Sequence, residues 1–188
     1  MSHLILIRHV KPVIDEYQPS VRWLLSDAGR QASRRLGERL RPYALDVMVT
    51  SHEPKAAATG EIAASVLGIP VKAADGLGEH LRENTPWYDD PAVFKAKVRE
   101  CLQKPDQVVF GDESADAAYD RFAAAVDAVV AAHPDQNIAV ATHGTVMSLF
   151  IARRAGGEAI DYWLRWGLPA FAVLDLPTFT LREVVADV

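Results

Sequence analysis

A single cysteine, Cys101, stands among 188 residues, and one thiol can build neither an intrachain disulfide framework nor a cysteine-rich zinc site. A reducing compartment is expected. Basic charge is also scarce: 20 Lys and Arg face 25 Asp and Glu, a net charge of -5 with no basic block. That excludes the electrostatic footprint of a protein that binds a polyphosphate backbone. Long apolar runs are missing too, since Leu4 to Ile7 is cut off by Arg8 and nothing approaches the roughly 20 apolar residues that span a bilayer. The chain is therefore expected to be soluble and cytoplasmic, with no nucleic-acid or membrane partner. Its 49% hydrophobic content can build a sizeable core, and one domain over residues 1–188 is the default.

What is present alternates between two periodicities. Leu4-Ile5-Leu6-Ile7 has no polar alternation, the pattern of a strand covered on both faces of a mainly parallel sheet. Ser26-Asp27 opens a helix carrying Ala32, Leu36 and Leu40 at helical spacing, ending near Pro42. Leu45 to Thr50 reads as a second buried strand, Pro54 to Gly68 as a helix with proline in its first turn, and Val71 to Ala73 as a short strand. From Gly76 to Gly111, breakers at Asn84, Pro86 and Pro91 and a charged helix from Val93 to Leu102 suggest a cap excursion over the sheet. Ser114 to Ala132 is an alanine-rich helix, Asn137 to Thr142 a strand, and Thr145 to Arg154 a helix. Phe171 to Leu176 and Phe179 to Val185 close the chain as two strands joined at Pro177-Thr178. The expected fold is α/β: a three-layer sandwich, mainly parallel, with an antiparallel edge and a small cap.

Ligands in such sheets bind beyond the carboxyl ends of the strands. Those ends carry Arg8-His9, Thr50-Ser51-His52 with Lys55 close behind, and Thr142-His143-Gly144. If the first and third of these strands pair, two imidazoles meet beside two cations. Arg8 and Lys55 would repel a divalent metal, and the nearest carboxylate, Glu53, is a single one. A dianion suits the cluster better: arginine offers a fork of donors, lysine a point charge, and the helix after Gly144 its free amides. Neighbouring cations also favour a neutral, nucleophilic imidazole.

Ile7-Arg8-His9, Leu25-Ser26 with Gly29 and Ala32, Ser51 to Glu61, Gly111-Asp112-Glu113-Ser114 and Thr142-His143-Gly144, in this order at strand ends, resemble the histidine phosphatase superfamily, also called phosphoglycerate mutase-like. The resemblance covers roughly residues 4 to 176. It implies that His9 is the nucleophile that becomes phosphorylated, Arg8 a phosphate clamp and His143 a second histidine that binds the transferring group. It also implies a general acid in a Leu-x-Glu motif, here Leu77-Gly78-Glu79, with Glu83 as the fallback, and no metal or organic cofactor. Two departures stand out. Lys55 replaces the usual arginine and gives up planar, bidentate contact. Val10 replaces the usual glycine after His9, so the turn there is expected to differ or to carry strain, while Lys11 is a candidate extra cation.

Plainer readings apply elsewhere. His52 reads as a rim or surface residue and His80 as a loop histidine, whereas His3 and His133 fall outside the strand-end pattern. Glu113, Ser114 and Arg121 read as structural, and Tyr162, Trp163 and Trp166 as an aromatic cluster at a core edge. The expected function is hydrolysis of a small phosphorylated substrate through a phosphohistidine. The alternatives are mutase-type phosphoryl transfer and a non-enzymatic phospholigand-binding protein. Specificity is expected from residues 11 to 24 and 76 to 111, where Trp23, Trp87 and Tyr88 are candidates to stack on a ring. Nothing in the sequence decides the substrate or the oligomeric state.

Overall fold

Successive strand residues point to opposite faces, and here both faces are covered. Leu4, Leu6, Val47, Val49, Ile138 and Val140 enter one hydrophobic cluster, while Ile5, Ile7, Met48, Ala139 and Ala141 enter the other. The computed structural model describes residues 2–188, so residue 1 of the expected domain lies outside the described residues. Its strands are β1 (His3–Arg8), β2 (Val47–Thr50), β3 (Val71–Ala73), β4 (Ile138–Thr142), β5 (Ala170–Asp175) and β6 (Thr180–Val185). They form one sheet in the order β3-β2-β4-β1-β5-β6. The first four are parallel neighbours, and β5 and β6 add an antiparallel edge.

The helices are α1 (Asp27–Leu40), α2 (Pro54–Leu67), α3 (Pro91–Gln103), α4 (Ala115–Ala132), α5 (Gly144–Ala155) and α6 (Ala159–Arg165). Leu36 and Leu40 of α1 and Ala63 and Ala64 of α2 cover one face, and Phe122 and Val126 of α4 with Met147 and Phe150 of α5 cover the other. Phe122 and Phe150 meet edge to face at 5.7 Å between centroids, an arrangement that contributes about 0.5–1.5 kcal/mol beyond its buried area. Local chemistry sets the helix ends. Ser26 Oγ accepts the Gly29 N–H at 3.0 Å and Ser114 Oγ that of Ala117 at 3.1 Å, caps worth about 1 kcal/mol each. Gly68 ends α2 at φ 70°.

Residues 76–111 run between β3 and α4 and contain α3. Helix α6 was not expected. Its seven residues carry Trp163, which is buried together with Trp166 just beyond the helix, so tertiary packing supplies what so short a helix lacks on its own. Among the described residues no helix is long and apolar enough to cross a membrane.

Candidate functional site

Parallel pairing of β1 with β4 sets Arg8 opposite Thr142, so the residues that follow, His9 and His143, leave the sheet side by side. The His9 N–H extends the ladder by donating to Thr142 O at 3.1 Å. The two imidazoles meet edge to face with centroids 5.2 Å apart. His9 is 7% exposed and His143 wholly buried. His9 Nδ1 lies 2.8 Å from Val10 O. A carbonyl only accepts, so Nδ1 carries the proton and Nε2 keeps its lone pair. Burial first, then the proximity of His143 and the charges of Lys55 and Arg8, hold His9 well below the usual imidazole range. His143 is held down in the same way, by burial and then by Lys55. Both rings are therefore neutral at pH 7.

Val10 does not disturb this arrangement. Among the described residues only Ala44, Asp135 and Phe179 of the non-glycines take a left-handed backbone, so the strain expected at Val10 is not there. Its N–H donates to Thr59 Oγ1 at 3.2 Å and its side chain is fully buried. Lys11, the candidate extra cation, is exposed.

The cations converge from three elements. Arg8 Nη1 donates to Trp166 O at 2.6 Å, so the aromatic cluster expected to pack a core edge also aims the guanidinium. Arg8 Nε, His143 Nδ1 and Thr145 Oγ1 are buried with no partner among the described residues. Leaving such groups unsatisfied costs about 1–3 kcal/mol each, a penalty that a ligand with acceptor oxygens relieves. A Cβ at Gly144 would lie 3.0 Å from Arg8 Nε, so glycine lets the first turn of α5 approach the guanidinium without displacing it. Lys55 is 4% exposed and donates from Nζ to Ser20 O at 2.6 Å and to Glu53 Oε2 at 2.5 Å.

Glu79 closes the site from the loop after β3. Its carboxylate accepts the N–H groups of His80 at 2.9 Å, Thr145 at 3.2 Å and Val146 at 3.3 Å, the last two at the start of α5. Burial alone would raise its pKa, but the charge of Arg82 and the bonds from His80 and Thr145 outweigh it and hold the carboxyl well below its usual range. The loop is braced from α4. Arg121 donates to Gly76 O, Gly78 O and Glu79 O at 2.9, 3.0 and 2.9 Å, and to Glu113 Oε1 at 2.7 Å. Glu113 also accepts the Leu81 N–H at 2.9 Å, so the structural reading of Glu113 and Arg121 acquires a purpose: they fix the peptide that bears Glu79. Gly111, at φ 84°, packs where a Cβ would lie 2.4 Å from Leu81 O.

One residue here, Arg82, escaped the sequence reading, and Glu53 entered it only as a lone carboxylate unsuited to a metal. Arg82 Nη2 is 3.5 Å from Glu79 Oε2, and its guanidinium lies over the rings of Phe94 and Phe110 at 5.4 and 5.5 Å. Glu53 is buried, with Oε1 3.4 Å from His143 Nε2. Both line a small cleft with Ser20, Val21, Glu79 and Glu83. Glu83 is exposed, which places it at the rim rather than among the buried groups. His52 is exposed and meets Asp75 at 3.1 Å. His80 is buried, bonded to Glu113 O and stacked on Phe110. Trp23 and Trp87 touch at 5.8 Å across the two loops, whereas Tyr88 packs against Phe94 and Phe110.

Comparison with known proteins agrees with this geometry. Residues 4–177 match the family described as Histidine phosphatase superfamily (branch 1). Bacillus subtilis (strain 168) has a protein named uncharacterized phosphatase PhoE that is 25% identical over 134 residues, 71% of this chain. The match spans 66% of that protein, just under two thirds of its length. Among solved structures, a mycobacterial glucosyl-3-phosphoglycerate phosphatase superposes with a TM-score of 0.77 at 18% identity, covering 100% of this chain and 99% of that one. Bacillus stearothermophilus YhfR gives 0.77 at 23% identity, with 100% and 98% covered, and the alpha-ribazole phosphatase from Shigella flexneri 0.74 at 22%, with 98% and 96%. At these identities the solved structures establish the shared fold.

Proposed function

The chain belongs to the histidine phosphatase superfamily (branch 1), and from that premise we propose that it hydrolyses a small phosphomonoester through a phosphohistidine at His9. The observation that carries this reading is the pairing of two neutral, buried imidazoles with the His9 proton committed to Val10 O, which leaves Nε2 as a nucleophile.

In the first step Nε2 attacks phosphorus and the bond from phosphorus to the ester oxygen breaks. Glu79 gives the departing oxygen its proton. In the second step water attacks the phosphohistidine, Glu79 takes the water's proton, the N–P bond breaks and inorganic phosphate leaves. Arg8, Lys55 and the His143 ring stabilise charge on the three outer oxygens. Glu79 is ionised at neutral pH, and an arriving dianion both competes for the α5 amides and repels the carboxylate. Both effects raise its pKa toward that of a proton donor. The dianion likewise favours the charged form of His143, whose free Nδ1 then donates to phosphoryl oxygen. The names of the mycobacterial and Shigella relatives refer to small molecules, which agrees with a small phosphorylated substrate.

The test is phosphate release from an aryl phosphate with EDTA present, comparing the native chain with His9→Ala. Turnover that disappears in the variant is expected. Full activity in His9→Ala would remove the proposal.

A further inference from the structure

The chemistry proposed above leaves one buried carboxylate at its centre without a task. Glu53 precedes Pro54 at the start of α2 and is 9% exposed. Both of its oxygens are engaged: Oε2 receives Lys55 Nζ at 2.5 Å, and Oε1 accepts the Glu79 backbone N–H at 2.7 Å while lying 3.4 Å from His143 Nε2. One side chain thus reaches α2, the loop that carries Glu79 and the residue that opens α5.

This placement has two consequences. Lysine lacks the planar fork that pre-orients an arginine, and its ammonium has three donors on a flexible stem. Here Glu53 Oε2 and Ser20 O take two of them, so the charge stays in one place with the third donor free. The second consequence opposes binding. A carboxylate among the anion-binding groups Arg8, Lys55 and His143 repels the phosphate that they attract, and does so strongly because the site is buried.

We propose that Glu53 is a positioning residue that fixes Lys55 and the Glu79 backbone, and that its negative charge loosens the pocket's hold on phosphate so that product departs. The proposal rests on the anion-site reading above.

The experiment measures inorganic phosphate binding by calorimetry and aryl phosphate turnover for the native chain, Glu53→Gln, Lys55→Met and the double variant, with thermal unfolding confirming that each is folded. Glu53→Gln is expected to bind phosphate about fivefold tighter or more while kcat falls about tenfold or more, so affinity and turnover move in opposite directions. Lys55→Met leaves the carboxylate uncompensated and weakens phosphate binding. Adding Glu53→Gln to it is expected to restore part of that loss, because the bare charge is then gone. A side chain that merely braced the fold would show losses that add.

Unchanged or weaker phosphate binding in Glu53→Gln, or a double variant weaker than Lys55→Met, overturns the role of Glu53. A native chain that binds no phosphate overturns the anion site itself, and Glu53's role with it. If Glu53→Gln does not fold, Glu53→Asp replaces it. The shorter carboxylate keeps the charge but withdraws from Lys55 and Glu79, so native phosphate affinity with reduced kcat is expected, and native kcat contradicts the proposal.

Discussion

A buried histidine opens β1 and another directly follows it, and the two have different company. His3 begins the strand, donates its backbone N–H to Asn137 Oδ1 at 3.3 Å and meets the Tyr43 ring at 6.0 Å. Burial first, then Arg182, lowers its pKa, while Asp175 and Asp46 push the other way. His9 follows the strand's other end, against a second imidazole and near Arg8 and Lys55, where α2 and α5 begin. Burial and a lowered pKa are common to both, so neither identifies a site. The distinction lies in what converges: one aromatic ring with charges of both signs at the amino end of β1, and a second imidazole, Arg8, Lys55 and two helix N-termini at its carboxyl end.

The sharpest way to break this comparison is to remove each histidine in turn. His9→Ala is expected to lower kcat by about 10³-fold or more, whereas His3→Ala leaves kcat within about twofold and registers as a lower Tm. Equal losses of turnover would erase the distinction. Glu79→Gln comes next, with a loss of about 10²–10⁴ on an alkyl phosphate. In the phosphorylation step, read under single-turnover conditions, an aryl phosphate, whose leaving oxygen needs little protonation, should be far less affected, and identical losses on both in that step would count against proton donation by Glu79. Arg121→Gln removes the brace on the Glu79 peptide and is expected to lower kcat by about 10- to 100-fold. Phosphate affinity should stay near native in that variant, because Arg121 holds no phosphoryl oxygen.

The smallest effect concerns pH and stability. His9 and His143 lie well below 6.5 when folded and titrate near that value when unfolded. Between the two values the unfolded chain binds more protons, so stability falls as pH drops through about 6.5 toward the folded pKa values. Tm measured from about pH 7.5 to about pH 5.5 should therefore decline less steeply in His9→Gln than in the native chain. His3→Gln should flatten the decline less, since the shift at His3 is smaller.

Much of the site was legible because it depends on chain direction alone. Apolar runs ending in Arg8-His9 and Thr142-His143 suffice to place two histidines together once the strands pair in parallel. Ser26 and Ser114 announced their helices, and Gly68 its end. Other residues were hidden because their roles depend on packing that local pattern does not carry. Glu53 reads as an ordinary acid ahead of a helix, and only the approach of the Glu79 loop to α2 buries it. Arg82 reads as a loop cation, yet Phe94 and Phe110 form its platform. The Arg8 contact to Trp166 O involves a backbone carbonyl, which no side-chain pattern can announce. One signal was available: Glu53 and Lys55 flank Pro54, a charge pair at a helix start beside a strand end.

The most direct test of the covalent role proposed for His9 is to quench the native chain during turnover of an aryl phosphate under alkaline conditions, which preserve a phosphohistidine, and to map the added phosphoryl group by mass spectrometry. The expected result is a phosphoryl group on the peptide bearing His9, lost in His9→Ala together with turnover. Continued turnover with the label on another residue, or with no label formed under single-turnover conditions, would contradict it.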